Sequence, residues 1–276
     1  MRTALVLFAI VAPGGALRIA VTGAGGQTGG LVFRQLLADP KHEAVGFTRS
    51  AASRDALLEA VGADATVAVN DVTDVAACAA AFAAAGPIDA LVICTSAKPK
   101  RIEGGDPDGP PTFHYPNGTP EEVDWFGQKN QIDAACAAGA HVVLCSSMGG
   151  TNKKNPLNAL GNGKILLWKR KAEEYLLDSP TTFAIVHPGG LTDEPGGREI
   201  IAGVDDEQIG TESRSIPRAD VAAVLVAAAT DVDFKYRCFD IRAKPAGEGT
   251  PTPPGCRALL DQLGNKNCDY SIGHTA

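Results

Sequence analysis

The stretch from Arg18 to Leu37 constrains the fold of this chain more than any other, because an apolar run, a glycine-rich turn and a helix-forming run follow one another directly. Gly23 permits a tight turn out of a strand, and Gly26 leaves the backbone of the turn open to close approach. Gly29 allows a helix to pack closely on the strand. Strand, turn and helix in this order predict the first βα unit of a parallel sheet.

The same alternation continues along the chain, where short β-branched runs are separated by longer helical stretches. The predicted strands are 18–22, 44–48, 66–69, 90–95, 141–146, 183–187 and 238–241, and the predicted helices are 29–39, 51–61, 75–85, 123–138, 163–178 and 218–230. Because crossovers between parallel strands are right-handed, this pattern predicts an α/β fold with one doubly wound parallel sheet. We expect a single Rossmann domain over 18–276, with a small C-terminal cap.

Composition excludes several classes of function. The 276 residues are 45% hydrophobic, which suffices for a large core, and the formal net charge of -7 leaves no basic surface for a nucleic-acid backbone. Seven cysteines lie far apart, without a Cys-x-x-Cys pair or a His/Cys cluster. We therefore expect reduced cysteines, no zinc site of the usual spacing and no nucleic-acid partner.

The N-terminal residues form a distinct segment. Arg2 precedes an apolar run over 4–12, and small residues follow at Gly14 and Ala16. This pattern resembles a signal segment, and the run is too short to span a bilayer. Residues 1–17 are therefore either a targeting segment, or a frayed apolar extension or wrongly assigned start of the chain. We expect the protein in the cytoplasm or in a plastid.

The glycine turn predicts a nucleotide site, since the amides of a helix N-terminus bind phosphates. The residues expected around a pyrophosphate are Gly23, Gly26, Gln27, Thr28 and Gly29. The predicted second strand ends in Thr48-Arg49-Ser50, without the acidic residue that would bind a ribose 2′-hydroxyl. Arg49 therefore favours NADP(H), with Ser50 or Arg54 as an additional donor for the 2′-phosphate. The alternative is an ordinary exposed arginine.

Several distinctive motifs lie between about Arg18 and Leu263. They are Thr22-Gly-x-x-Gly-x-x-Gly29, Asp71-Val-Thr-Asp74, Thr95-Ser-Ala97, the run 123–135, Ser147-Met-Gly-Gly-Thr-Asn152, Trp168-Lys-Arg-Lys-Ala-Glu173 and Pro217-Arg-Ala-Asp-Val221. Together they resemble the atypical short-chain dehydrogenase/reductases, in particular their plant and algal NAD(P)-binding Rossmann-fold members. This resemblance implies NADP(H) as cofactor.

The resemblance also implies positions for the adenosine half of the cofactor. Asp71 and Val72 would flank the adenine. Thr95, Ser96 and Ala97 would border the ribose. Each of these residues follows a predicted strand, at the sheet edge where ligands of α/β proteins bind.

At the nicotinamide end, the resemblance implies backbone contacts from Pro188 and Gly189. Carbonyl-reducing members of the superfamily use a Tyr-x-x-x-Lys pair on one helix face and a serine at the end of the preceding strand. In this chain Lys169 stands in the lysine position, Ile165 in the tyrosine position and Ser147 at the strand end. We expect Lys169 to orient the ribose and Ser147 to polarise an acceptor, without the usual tyrosine.

The proton donor stays open at this point. Water, the substrate, or Tyr115 or His114 in the loop 98–120 are candidates, and both side chains are also typical of a solvated loop. Tyr175 lies six positions beyond the lysine and is expected to point about 120° away from it. The loops 98–120 and 190–215 are expected to cover a small-molecule substrate.

The basic run at Lys169, Arg170 and Lys171 has two interpretations. One places Lys169 inward and Lys171 at the surface, and the other is a solvent-facing row of ion pairs with Glu173. His187 at the end of the sixth predicted strand either contacts cofactor or is a hydrogen-bonded structural histidine.

Three functions fit these expectations. The first is an NADP(H)-dependent oxidoreductase that reduces a small carbonyl, quinone or flavin-like acceptor. The second is a non-catalytic NADP(H) sensor or assembly factor, which Ile165 favours. The third is remodelling of a nucleotide sugar, which normally also needs the missing tyrosine. The sequence does not specify the substrate or the oligomeric state.

Overall fold

A computed structural model describes residues 16–103 and 111–273 of the chain. The strands in these ranges are β1 (Leu17–Thr22), β2 (His42–Thr48), β3 (Thr66–Val69), β4 (Ala90–Ile93), β5 (Lys100–Arg101), β6 (Phe113–His114), β7 (His141–Cys145), β8 (Phe183–Pro188), β9 (Gly190–Thr192), β10 (Ile200–Gly203), β11 (Ser215–Pro217) and β12 (Arg237–Ala243). The α-helices are α1 (Gln27–Ala38), α2 (Ala51–Val61), α3 (Val75–Ala85), α4 (Gln128–Ala138), α5 (Ile165–Leu177), α6 (Arg218–Thr230) and α7 (Ala258–Leu263). A π-helix spans Glu121–Gly127, and 3₁₀ turns span Pro156–Asn162 and Val232–Phe234.

The central sheet confirms the doubly wound α/β class. Within the described ranges it has eight strands in the order β10-β12-β8-β7-β4-β1-β2-β3. All neighbours pair in parallel except β10, which runs antiparallel to β12 at the edge. The chain winds outward from β1 in both directions, so the crevice between the carboxyl ends of β1 and β4 is the position where such folds bind ligands.

The core consists of two apolar layers, one on each face of the sheet. Successive residues of β1 alternate between them: Val21 packs with α1 and α6 residues, whereas Ala20 packs on the opposite face with Phe82 of α3 and Ile132 of α4. The central strands are buried on both faces, as parallel sheets require. This double burial fixes the carboxyl ends of the strands as a rigid platform for the site.

The predicted helix at 123–138 is wrong over its first five residues, 123–127. The chain instead forms the π-helix at Glu121–Gly127 and continues as α4. At Gly127 a Cβ would lie 3.0 Å from the Val72 Cγ2 atom, so this turn passes very close to the chain after β3. The wide turn buries Asp124 completely, and π-helical turns are often found at functional sites.

The predicted loops contain additional structure. The described part of 98–120 includes a two-residue antiparallel ladder between β5 and β6, and residues 104–110 of that loop lie outside the described ranges. The segment 190–215 is not a simple loop, because β9 pairs with β11 and β10 joins the central sheet. In these short ladders, backbone N–H and C=O groups pair with residues that are distant in the sequence. No local sequence pattern predicts such pairs.

The C-terminal cap lies on the β10 edge of the sheet. Gln262 holds it there, since its Oε1 accepts a hydrogen bond from Ala202 N at 2.8 Å and its Nε2 donates to Ile200 O at 3.1 Å. Thr252 Oγ1 accepts a third bond from Ile200 N at 2.8 Å. The cap therefore protects an edge strand.

The proposed targeting segment at 1–17 lies outside the described residues except for its last two. In the part of the chain that is described, no helix combines the length and the apolar character needed to cross a bilayer. The seven cysteines all fall within the described ranges and are free thiols, as expected.

Candidate functional site

The glycine turn after β1 forms a cradle of backbone amides. Gly23 has a φ of +69°, and its carbonyl accepts a hydrogen bond from Gly26 N at 2.8 Å. A Cβ at Gly29 would lie 2.3 Å from Gly23 O, so only glycine permits this packing of α1 against the turn. Among residues 16–103 and 111–273, no side chain caps the N-terminus of α1 at Gly26. The first amides of the helix can therefore bind an anion.

A cleft of about 930 Å³ lies over this turn, at the carboxyl ends of β1 to β4. Its walls come from the glycine turn, the ends of β2 to β4, the loop around Asn117 and the π-helix. The lining residues are Thr22, Gly23, Gly25, Gly26, Phe47, Thr48, Arg49, Ser53, Asn70, Asp71, Val72, Thr73, Val75, Cys94, Thr95, Ser96, Lys98, Pro116, Asn117, Gly118, Glu122, Val123, Phe126 and Asn130. The volume is typical of a pocket for a large organic ligand.

Arg49 lies at the mouth of the cleft, beyond the end of β2. Its Nη1 donates to Asn117 O at 3.1 Å, which uses one of the five N–H groups of a guanidinium. Ser53 lines the cleft beside it. Of the two additional donors that the sequence suggested, Ser50 caps α2 by accepting from Ser53 N at 3.2 Å, and Arg54 pairs with Asp55 at 2.8 Å.

Asp71 and Val72 line the same cleft after β3. The Asp71 carboxylate is already held locally, since its Oδ1 accepts from Thr73 Oγ1 at 2.7 Å. The sequence interpretation missed Asn70, which is 3% exposed and lines the cleft. Neither polar atom of its amide meets a hydrogen-bonding nitrogen or oxygen in the described part of the chain. Its amide meets the thiol of Cys78, which is only a weak hydrogen-bond partner, so Asn70 is suited to contact a polar ligand. Its only sequence signal is its position at the end of β3.

Thr95 lines the cleft after β4 and is held from behind by two glutamines of α4. Gln128 Nε2 donates to Thr95 O at 3.1 Å, and Gln131 Nε2 donates to Thr95 Oγ1 at 3.0 Å. Both glutamines are buried. Ala97, two residues on, donates its N–H to the Asp124 Oδ2 atom at 2.9 Å. The loop after β4 is therefore fixed by the π-helix and α4 together.

Lys169 faces inward, as the first interpretation of the basic run predicts. Its Nζ lies 2.8 Å from Asp124 Oδ1, and both side chains are buried. Burial opposes the charged ammonium, but the charge and the hydrogen bond of Asp124, with smaller effects of Cys145 and Glu173, together outweigh burial and raise the pKa of Lys169. Lys169 is not among the residues that line the cleft, and it connects to the cleft through Asp124 and Ala97. Lys171 lies over the Trp125 ring, 4.6 Å from its centroid.

The two serines after β7 have separate environments. Ser146 is buried and donates its hydroxyl to Glu173 Oε1. Ser147 Oγ donates to Met148 O at 3.0 Å and faces a second, small cavity of about 10 Å³. Of the two serines, Ser147 is therefore the one that lines this small cavity, and it does not line the large cleft.

The structure also places the other residues named for the nicotinamide end. Gly189 N donates to Ile241 O at 2.9 Å, and Pro188 O accepts from Met148 N at 3.0 Å. These backbone groups already serve the protein, so their contact with a cofactor stays a prediction. Ile165 begins α5, one turn before the lysine.

The side chains considered as proton donors, Tyr115 and His114, have different environments in the structure. Tyr115 is not a freely solvated residue: its hydroxyl donates to Leu160 O at 2.9 Å, and its ring packs on Gly163. Burial, followed by the charge of Asp124, raises its pKa. His114 is exposed on β6, as the solvated interpretation predicts. Tyr175 points away from the site, as predicted.

His187 is a hydrogen-bonded buried histidine, which confirms the structural interpretation. Its Nε2 lies 3.2 Å from Glu173 Oε2 and its Nδ1 lies 3.1 Å from Asp240 Oδ1. Burial disfavours the imidazolium, but Glu173 and then Asp240 overcome this effect and raise the pKa of His187 well above its ordinary value.

The fold and the cradle together define the class of the protein. A doubly wound sheet with a glycine turn, an uncapped helix N-terminus and a large cleft at its switch point is a dinucleotide-binding domain of the Rossmann type. The family model described as NAD(P)H-binding matches residues 23–232. This chain therefore belongs to the NAD(P)H-binding family, among the oxidoreductases known as atypical short-chain dehydrogenase/reductases.

Individual relatives agree with this assignment. An uncharacterised chloroplastic protein of Arabidopsis thaliana is 46% identical over 256 residues, covering 91% of this chain and 76% of the relative. The sanguinarine reductase of Eschscholzia californica is 40% identical over 270 residues, covering 90% of this chain and 96% of the relative. The structure of a putative NAD-dependent epimerase/dehydratase from Bacillus halodurans superposes with a TM-score of 0.67 at 21% identity, covering 89% of this chain and 100% of the other. That structural likeness concerns the fold alone.

Proposed function

We propose that this protein is an NADPH-dependent reductase of small carbonyl, quinone or flavin-like acceptors. The observation that carries the proposal is the amide cradle of the glycine turn with Arg49 at the mouth of the same cleft. The reductase name of a relative at 40% identity supports it.

The residues of the cleft fit this cofactor. The amides at Gly26, Gln27 and Thr28 would hold the pyrophosphate, because the helix N-terminus there has no side-chain cap. Arg49 has donors for the 2′-phosphate, and the absence of an acid at the end of β2 removes the repulsion that would exclude it. Asn70 would satisfy its buried amide on the adenine. When bound, the cofactor supplies a hydride from its nicotinamide ring.

The chain itself contributes position and charge at the acceptor end. Lys169 keeps two further N–H groups beyond its contact with Asp124, and these would orient the nicotinamide ribose. The Ser147 hydroxyl would donate to the acceptor oxygen as negative charge develops there. Because Ile165 cannot transfer a proton, the proton would come from solvent, which suits acceptors whose reduced anion is stabilised by conjugation.

Steady-state oxidation of NADPH with a panel of quinones, flavins and conjugated carbonyls tests this proposal. We expect turnover with at least one class, and a decrease in kcat of about 10²-fold in Ser147→Ala with unchanged affinity for NADPH. Ser179→Ala is the matched control, because Ser179 Oγ also donates to a nearby backbone carbonyl, Leu176 O at 2.7 Å, away from the cleft. Equal kcat values for Ser147→Ala and the control would contradict the role of Ser147.

A second candidate function is a non-catalytic NADP(H) sensor or assembly factor, and Ile165 at the tyrosine position favours it. A sensor would bind NADPH tightly, turn over none of the acceptors and change its oligomeric state or partner binding with the cofactor. Sedimentation of the purified protein with NADP⁺ and with NADPH distinguishes the two functions.

We also propose a plastid location. The support is the chloroplastic designation of the Arabidopsis relative together with the basic and apolar start of the chain. Import into isolated chloroplasts, followed by mass spectrometry of the mature N-terminus, tests it. A chain that is not imported and keeps Met1 would indicate the cytoplasm instead.

A further inference from the structure

Three side chains with metal-ligating atoms meet beside the small cavity under Ser147. His187 comes from β8, Asp240 from β12 and Cys268 from the segment after α7. His187 Nδ1 lies 3.1 Å from Asp240 Oδ1 and 3.7 Å from Cys268 Sγ, and Cys268 Sγ lies 4.0 Å from Asp240 Oδ1. One nitrogen, one sulfur and one oxygen thus form a small triangle.

The size of this triangle matches one face of a tetrahedral zinc site. With Zn–N, Zn–O and Zn–S bonds of about 2.0, 2.1 and 2.3 Å, the ligand atoms of a tetrahedron lie about 3.4–3.6 Å apart. The observed separations of 3.1, 3.7 and 4.0 Å differ from this by a few tenths of an ångström. Small side-chain rotations therefore bring all three atoms to bonding distance of one ion.

The surroundings of His187 are also those of a metal ligand. Its second ring nitrogen lies 3.2 Å from Glu173 Oε2, and a carboxylate on the far nitrogen of a ligating histidine fixes the tautomer and raises ligand basicity. Arg170 Nη1 lies 3.5 Å from the same Glu173 oxygen, and the guanidinium balances the negative charge of the Glu173 carboxylate. The thiolate of Cys268 and the carboxylate of Asp240 then match the two positive charges of the ion.

The cavity provides the fourth position. It has a volume of about 10 Å³ and is lined by all three candidate ligands together with Ser147, Thr151 and Asp206. This is about the space of one water molecule. His187 and Asp240 are 4% and 1% exposed and Cys268 is half-buried, and all three side chains border the cavity.

We propose that His187, Asp240 and Cys268 bind one Zn²⁺ ion, with water as the fourth ligand. A thiolate and an imidazole select zinc over magnesium or calcium, which prefer oxygen ligands. On binding, the protons of the Cys268 thiol and of His187 Nδ1 leave to solvent. None of the three ligands lines the dinucleotide cleft, although Ser147, the proposed donor to the acceptor, lines the same small cavity.

Metal titration of the full chain tests the proposal. After treatment with a chelator, the protein should take up one equivalent of Zn²⁺ by calorimetry. Its Co²⁺ form should show the visible bands of a tetrahedral site and a near-ultraviolet thiolate charge-transfer band. In Cys268→Ser the thiolate band should disappear. Cys136→Ser is the matched control, because Cys136 is also a half-buried free thiol, and it should keep the band.

A second variant tests the role of Glu173 without removing a ligand. Glu173→Gln keeps the shape of the side chain and should weaken Zn²⁺ binding by about 10- to 100-fold, as for other carboxylates behind a ligating histidine. Unchanged Zn²⁺ affinity in Cys268→Ser, a Co²⁺ spectrum without a thiolate band, or no binding by the wild-type protein would each overturn the proposal.

Discussion

Lys169 and Asp124 form the ion pair on which the candidate site rests, at 2.8 Å and with both side chains buried. Each charge is tolerated in the interior only because the other is present. Asp124 also accepts the Ala97 N–H, so the pair connects α5, the π-helix and the loop after β4. The lysine of the motif thus has a structural role as well as the proposed one toward the ribose.

Removing one charge of this pair should be strongly destabilising. Lys169→Met leaves Asp124 buried without its partner, and we expect the free energy of unfolding to fall by about 3–5 kcal/mol. The double variant Lys169→Met, Asp124→Leu should regain most of that loss, because no lone charge remains. Urea unfolding of the wild-type, single and double variants measures both values. Additive losses would show that the two residues are not coupled.

Arg49 is expected to decide between the two pyridine nucleotides. Arg49→Ala should weaken NADPH binding by about 10- to 100-fold, since hydrogen bonds between a guanidinium and a phosphate are lost. NADH binding should change little. Calorimetric titration with both nucleotides measures this selectivity. Arg54→Ala is the control, because Arg54 pairs with Asp55 outside the cleft, and an equal loss in that variant would contradict the assignment to Arg49.

At the scale of elements, β7 is joined to its neighbours through a buried histidine. His141 Nε2 lies 3.1 Å from Ala228 O of α6, and His141 Nδ1 lies 2.9 Å from Thr182 Oγ1 before β8. Burial lowers the pKa of His141 to about 4. The neutral ring is therefore part of the packing between the sheet and α6.

This lowered pKa gives a pH dependence of known sign. A histidine in the unfolded chain has a pKa of about 6.5, so between pH 6.5 and 4 the unfolded state binds a proton that the folded state does not. His141 should therefore reduce the free energy of unfolding as the pH falls through this window, by about 2 kcal/mol at about pH 5. Urea unfolding at about pH 7 and about pH 5 should show a smaller decrease for His141→Gln than for the wild type. His114→Gln, at an exposed position, should keep the wild-type decrease.

For the molecule as a whole, the segment after α7 runs back beside the start of β12, where Cys268 N donates to Cys238 O at 3.0 Å, and then reaches α5. Arg170 of α5 holds it, because its Nη2 donates to Asp269 O at 3.1 Å and to Ile272 O at 2.8 Å. The guanidinium also lies 3.8 Å from the centroid of the Tyr270 ring. The same segment carries Cys268, so these contacts of Arg170 help to place the third ligand of the proposed zinc site.

Loss of Arg170 should release that segment. In Arg170→Leu we expect trypsin to cut after Lys266 about 10- to 100-fold faster, because the open population increases as the charged hydrogen bonds are lost. Mass spectrometry of timed digests measures the rate. Arg257→Leu removes an exposed arginine that pairs with Asp231 and should keep the wild-type rate. A rate for Arg170→Leu equal to the control would show that other contacts hold the segment.

Much of the architecture follows from local pattern. The helices at 51–61, 75–85 and 218–230 and the strand at 66–69 have the predicted bounds, because apolar periodicity, glycine turns and caps such as Asp74 on α3 act over a few residues. Local pattern did not predict the π-helix or the antiparallel strand β10, since both depend on partners far away in the chain. Asn70 could be recognised as a cleft residue only after β3 had been placed beside β2.

The sequence by itself determined the doubly wound fold and the glycine cradle, because strand, turn and helix are adjacent in the chain and their order permits few topologies. The tertiary structure alone decided what Lys169 and His187 contact. The partners of these two residues stand 45 or 53 positions away, at Asp124 and Asp240, or within the neighbouring helix α5. A buried charge is stabilised by whichever opposite charge the packing places within about 4 Å, and no local spacing encodes that choice.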